Sequence, residues 1–128
     1  MTVVKYDGEH TKIYNDIGAQ AFASKVVQGN GLNPKELLEA SIALCHVIVT
    51  KKLLERDGIA YNDADISATA EAVKDADGKN FFSDFNVTLS LPKHLDPAYA
   101  EKLVVSVERG CTIGNTLKGN AAIHLTTN

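Results

Sequence analysis

Two cysteines, Cys45 and Cys111, stand 66 positions apart in a chain of 128 residues. Thiols in such a chain can pack a core, form a redox pair or bind a metal. Spacing speaks against the metal. The four histidines, His10, His46, His94 and His124, are scattered, and no CxxC, HxxxH or HExxH occurs. No metal site and no cofactor are therefore expected. A purely structural disulfide is also not expected in a reducing cytosol. Two core thiols and a redox pair remain, and the residue types alone do not choose between them.

The residues around the cysteines narrow the chemistry. A thiol in an apolar helix is held back from ionising, because the charged form loses its solvation. A redox role needs a cation or hydrogen-bond donors nearby. His46 adjoins Cys45, but successive helical side chains point about 100° apart, so it reads as a core or interface histidine. Arg109 precedes Cys111 by two residues and reads as a surface charge that could reach a thiolate. Arg56 suits the carboxyl end of its helix. Glu39 lies in an apolar run and needs a partner if buried.

These side chains must be positioned by a recognisable series of elements. Residues 2–6 and 11–14 read as short strands around an Asp7-Gly8 turn, with a third strand within Ile17–Val27. Gln28-Gly29-Asn30-Gly31 reads as a loop. Asn33, Pro34 and Glu36 form a capping-box start for a helix over Pro34–Arg56, ended by Asp57-Gly58. Its middle, Leu37–Val49, is apolar nearly all round, so a partner subunit is expected to cover part of it.

A strand follows over Asp65–Val73, with Ile66, Ala68, Ala70 and Ala72 on one face. Asp75–Gly78 makes a hairpin turn. The next strand places Phe81, Ser83, Phe85, Val87, Leu89 and Leu91 on one face by strict alternation. Asp96-Pro97 opens a second helix, with Ala100, Leu103, Val104 and Val107 at helical spacing, and Gly110 stops it. A turn over Thr112–Lys118 leads to a last strand from about Asn120 to Thr126. This order implies an α+β fold with a mostly antiparallel sheet and a long central helix. The length fits one domain, 1–128.

Composition excludes several function classes. The net charge is -3, and no run of Lys or Arg forms a basic stripe, so no nucleic-acid partner is expected. No apolar stretch reaches the roughly 18 residues needed to cross a bilayer. The first residues lack the pattern of a signal peptide. A soluble, cytoplasmic protein without a membrane partner is the expectation.

Two stretches carry a resemblance. Asn33-Pro34-Lys35-Glu36-Leu37-Leu38-Glu39-Ala40-Ser41-Ile42-Ala43-Leu44-Cys45 opens the long helix, and Val107-Glu108-Arg109-Gly110-Cys111-Thr112-Ile113-Gly114-Asn115-Thr116-Leu117 follows the second. In these motifs and in element order the chain resembles the OsmC/Ohr family, most of all its short, divergent branch. The resemblance implies an intertwined homodimer with two interface sites, an organic hydroperoxide substrate and an external dithiol reductant. It implies Cys45 as the peroxide-attacking thiolate and Cys111 as the resolving thiol. A thiol-dependent peroxidase is the first expectation. The alternative is a non-catalytic or weakly redox-active dimer of the same fold that binds a small apolar ligand at its interface.

The chain departs from the family's pattern in two places. Active members hold an N-terminal Arg with a Glu at the start of the long helix. Here no Arg precedes Arg56, and the usual Glu position is Lys35 with Glu36 beside it. Glu36 lies nine residues before Cys45, a rotation of roughly 900° along a helix. The two side chains leave opposite faces. Support of Cys45 by Glu36 or Lys35 is therefore expected, if at all, from a second subunit, while Arg109, two residues before Cys111, is the most plausible replacement cation.

Overall fold

The chain packs as two compact units, Met1–Glu39 and Ala40–Asn128. A computed structural model describes residues 1–6, 11–24, 31–119 and 121–127. The expected turn at Asp7-Gly8, the loop residues 28–30 and the start of the last strand at Asn120 lie outside the described residues.

In the first unit, β1 (Thr2–Tyr6), β2 (Thr11–Asn15) and β3 (Gln20–Ala23) pair antiparallel in that order. The β2–β3 turn is built by Asn15. Its Oδ1 accepts the N–H groups of Ile17 at 3.2 Å and Ala19 at 3.0 Å, an Asx-type turn. Gly18 completes it with φ of 84°. Further on, Leu32 bridges Ala23 in parallel. Gly31 makes this approach possible, since a Cβ there would sit 2.6 Å from backbone atoms of Ala23.

The long helix α1 spans Pro34–Arg56, the bounds its signals imply. Asn33 Oδ1 accepts the Glu36 N–H at 2.8 Å, and Glu36 Oε1 accepts the Asn33 N–H at 3.1 Å. Two donors that a helix start otherwise leaves unpaired are thereby satisfied. The other end closes on Gly58, φ 68°, with the Ile59 N–H on the Leu54 carbonyl at 3.0 Å, a Schellman-type stop.

In the second unit, β4 (Ser67–Lys74) and β5 (Phe82–Ser90) form an antiparallel hairpin around Asp75–Gly78. Strict alternation fails at one point. The register slips between Val73 and Lys74, pairing Val73 with Asp84 but Lys74 with Phe82. This bulge turns Phe82, rather than Phe81, to the side of Phe85, and the two rings meet edge-on at 6.2 Å. Phe81 is left 50% exposed. A bulge adds one unpaired residue and so inverts the alternation beyond it.

Helix α2 (Pro97–Gly110) is capped by Asp96, which accepts the Tyr99 N–H. The core joins Leu54 of α1, Ile66, and Leu103 and Val107 of α2, with Leu89, Leu91 and Tyr99 packed against it. Tyr99 also donates its hydroxyl to Asp57 Oδ2 at 2.6 Å, tying the start of α2 to the end of α1.

Two expectations are corrected at the carboxyl end. Thr112–Lys118 is a helix, α3, rather than a turn. Residues 121–127 carry no strand, and Ile123 and Leu125 are exposed. The α3 start was hidden because its cap is a cysteine, outside the usual Ser, Thr, Asp and Asn set, and because Gly114 weakens its helical signal. An alternating pattern such as Ile123 and Leu125 makes a strand only where another edge is present to pair with it.

Candidate functional site

Cys45 lies halfway along α1, and Cys111 lies between α2 and α3. A glycine lets them approach. Gly110 ends α2, and a Cβ on it would stand 3.0 Å from Cγ1 of Val49. Val49 is one turn beyond Cys45 on the same helix, so the end of α2 closes on α1 beside that thiol. Cys111 is then fully buried, while Cys45 is half-buried.

The Cys111 backbone is extended, with φ -80° and ψ 103°. That bends the chain sharply enough to start α3 at once. Its sulfur caps the new helix, accepting the Gly114 N–H at 3.2 Å. A second donor or acceptor, His46 Nδ1, stands 3.4 Å from the same sulfur. His46 in turn contacts the Ile42 carbonyl at 2.9 Å. Ile42, His46, Thr50 and Leu54 recur every four residues, and Ile42, Thr50 and Leu54 are the buried residues of α1. Thr50 is satisfied there by donating to the His46 carbonyl at 2.7 Å.

The two thiols influence each other and differ as acids. For Cys45 the largest influence is burial, which raises its pKa. The N–H groups of Ile113 and Thr112, the Cys111 thiol and the charge of Lys52 together outweigh that, and the Cys45 pKa falls below the ordinary thiol value. For Cys111 burial again acts first and upward. The Gly114 N–H opposes it, but the hydrogen bond and charge of Cys45 add to it, and the Cys111 pKa rises. Cys45 is thus the more acidic thiol of the two.

The other sequence candidates are placed differently. Glu36 and Lys35 belong to the first unit, where Glu36 completes the cap and Lys35 pairs with Glu39 at 2.7 Å. Glu39 thereby has the partner it was expected to need. Arg109 is exposed. Its backbone carbonyl accepts from Asn115 Nδ2 at 3.0 Å. Arg56 pairs with Asp57 at 2.9 Å.

Sequence reasoning missed four contributors. Lys52 is seven residues beyond Cys45, two turns along one helix face, and that spacing could have found it. His46 lies on the buried stripe of α1 and contacts Cys111 rather than Cys45, a pairing only tertiary contact creates. The Thr112 and Ile113 amides carry no side-chain signature at all.

A cavity of about 300 Å³ lies against His46 and Gly114, walled also by Ile42, Asp84, Phe85, Glu108, Leu117 and Lys118. Lys118 faces Glu108 at 3.7 Å across this region. Among the described residues no three His, Cys, Asp or Glu side chains gather as a metal-holding group. No helix of the described residues is long and apolar enough to cross a membrane.

Residues 27–126 match the family model described as OsmC-like protein. The chain is 29% identical over 105 residues to the uncharacterized protein YmaD of Bacillus subtilis strain 168, covering 76% of this chain and 67% of that one. Its fold is similar to that of an organic hydroperoxide resistance protein OsmC from Legionella pneumophila, with TM-score 0.67, 23% identity, and 94% and 90% of the two chains covered. An OsmC-like protein from Mycoplasma pneumoniae superposes with TM-score 0.78 at 15% identity, over 93% and 86% of the chains. OhrB of Bacillus subtilis, an organic hydroperoxide resistance protein, gives TM-score 0.60 at 24% identity, over 94% and 92%. At these identities the structural likeness bears on fold. The mixed α+β architecture with antiparallel sheets and a long helix is that of OsmC-like structures.

Proposed function

Since this chain belongs to the family of OsmC-like proteins, we propose that it is a thiol peroxidase that reduces organic hydroperoxides with Cys45 and Cys111. One observation supports this above the others. The two thiols influence each other, and their surroundings lower the Cys45 pKa and raise that of Cys111. Two of its structural relatives carry organic hydroperoxide resistance in their names.

The chemistry runs in three balanced steps. The Cys45 thiolate attacks the terminal peroxide oxygen, the O–O bond breaks, and an alkoxide leaves and is protonated to the alcohol. Cys45 is now a sulfenic acid. The Cys111 sulfur attacks Cys45, an S–S bond forms, and the sulfenic hydroxyl leaves with the Cys111 proton as water. An external dithiol then reduces the disulfide by exchange and becomes a disulfide itself.

In this reading Lys52 and the Thr112 and Ile113 amides activate Cys45, the task an N-terminal Arg would otherwise have. Residues 1–128 act as one domain in a cytoplasmic homodimer. Glu36, Lys35 and Arg109 remain candidates to support the site of a partner subunit. The alternative is a small apolar ligand held without turnover; the cavity beside His46, walled by Ile42, Phe85 and Leu117 as well as Asp84, Glu108 and Lys118, does not itself choose between the two.

The test is steady-state reduction of cumene hydroperoxide with a dithiol reductant. Cys45→Ser is expected to abolish turnover. Cys111→Ser is expected to keep the first oxidation but accumulate Cys45 sulfinic acid, detected by intact mass. Wild-type turnover in the Cys45→Ser variant would refute the proposal.

A further inference from the structure

Resting on the two-cysteine reading above, we infer that His46 is a positioning residue for the resolving thiol, holding the Cys111 sulfur with its Nδ1–H and stabilising the negative charge that develops there during disulfide formation. The hydrogen bonds assign the proton. His46 Nδ1 lies 2.9 Å from the Ile42 carbonyl oxygen. A carbonyl can only accept, so the hydrogen in that contact is on Nδ1. The Cys111 sulfur lies 3.4 Å from the same nitrogen. It therefore receives a share of the same N–H, and it also receives the Gly114 N–H at 3.2 Å. Two donors converge on one sulfur that is fully buried.

The elements make this contact specific to Cys111. His46 follows Cys45 directly, but the turn of the helix sends the two side chains about 100° apart. Its ring lies on the stripe of Ile42, Thr50 and Leu54, which faces the second unit's interior. Gly114 packs beside the place where ring and sulfur meet. A Cβ there would touch Cys111 Sγ at 3.4 Å and His46 Cε1 at 4.0 Å.

The donors act at the step where they are needed. In the reduced pair the Cys45 thiolate repels a second negative charge. Once Cys45 is a neutral sulfenic acid, that repulsion is gone. The Nδ1–H and the Gly114 N–H remain, and both favour a charged sulfur over a neutral one. Cys111 is thus readied as a nucleophile by the oxidation of Cys45. The S–S bond forms, and the Cys111 proton leaves with the sulfenic hydroxyl as water. His46 keeps its own proton throughout.

The test uses the reduced full chain and one equivalent of cumene hydroperoxide, quenched at intervals with a thiol alkylator and read by mass spectrometry. His46→Phe keeps a ring of similar size without the donor. His46→Asn places an amide N–H near the Nδ1 position. In His46→Phe, Cys45 is expected to be oxidised at the wild-type rate, but the disulfide should form at least about tenfold more slowly, the effect of one hydrogen bond to a charged group. His46→Asn should restore the rate to within about threefold of wild type, on the same rate scale. Equal rates in the wild type and His46→Phe, or an Asn variant as slow as the Phe variant, would overturn the role. Nitrogen-15 NMR of the wild type tests it without any variant. It should find Nδ1 protonated in the reduced protein, with a resonance that moves when Cys111 enters the disulfide. A bare Nδ1 would also overturn the role. Failure of the wild type to form a Cys45–Cys111 disulfide would instead sink the two-cysteine reading itself.

Discussion

The surroundings of Cys45 and Cys111 make them unequal acids. Both lose solvation on burial, which by itself raises a thiol pKa. Cys45 is compensated by two backbone amides, a thiol and Lys52. Cys111 is compensated mainly by one amide and is opposed by Cys45. Only a thiolate attacks a peroxide or an alkylating agent. With the Cys45 pKa lowered and the Cys111 pKa raised, Cys45 should be alkylated by iodoacetamide at a lower pH than Cys111. Peptide mapping across a pH series checks this, and the reverse order would contradict the assignment of roles. Lys52→Gln should move the Cys45 profile upward by a smaller amount than disruption of α3, because the amides contribute more than the distant charge.

Each element that carries the pair depends on a particular close contact. Leu54 is fully buried at the centre of the core shared by α1, α2 and Ile66. Leu54→Ala removes three methyl-sized groups from a closed site and is expected to cost about 2–5 kcal/mol, measured by urea unfolding. Gly31 serves the first unit in another way. A Cβ there would fall 2.6–2.7 Å from three backbone atoms of Ala23, and backbone cannot move aside as a flexible side chain can. Gly31→Ala should therefore destabilise by about 1–3 kcal/mol, as overpacking does, with faster amide exchange in β2 and β3. Gly114 makes an informative contrast. A Cβ there meets its neighbours at ordinary contact distances, so Gly114→Ala should fold normally.

The assembled protein poses the question of what covers α1. Within one chain Ile42, Thr50 and Leu54 are buried, but Leu44 is 59% and Ile48 42% exposed. These two are one turn apart on one face. Burying each side chain fully is worth about 1.5–3 kcal/mol, which a second subunit can supply. Light scattering should give twice the mass of one chain for the wild type. The double variant Leu44→Glu, Ile48→Glu should run as a single chain, because two carboxylates would then have to be desolvated at the contact. A single-chain mass for the wild type would remove the dimer from the proposal. It would leave the Cys45–Cys111 geometry untouched, since both thiols belong to one chain.

Local signals settled much of this protein before any packing was considered. The Asn33–Glu36 capping box and the Asp57-Gly58 stop bound α1, and Asp96-Pro97 with Gly110 bound α2, because caps and stops act over a few neighbouring residues. The two cysteines and their family context were likewise visible in the chain. The α3 helix, the Phe82 bulge and the missing last strand were not. Each depends on partners distant in sequence: a sulfur serving as a cap, a register set by the opposite strand, an edge to pair with. The same holds at the pair itself. The sequence supplied two thiols and no nearby Arg. Only the close approach that Gly110 permits brings Cys111 to Cys45 and the Thr112 and Ile113 amides toward that thiol, whereas Lys52 sits on the same helix as Cys45 and follows from spacing. Hydrogen bonds and charges act across space over a few ångströms, and spacing along the chain does not record them.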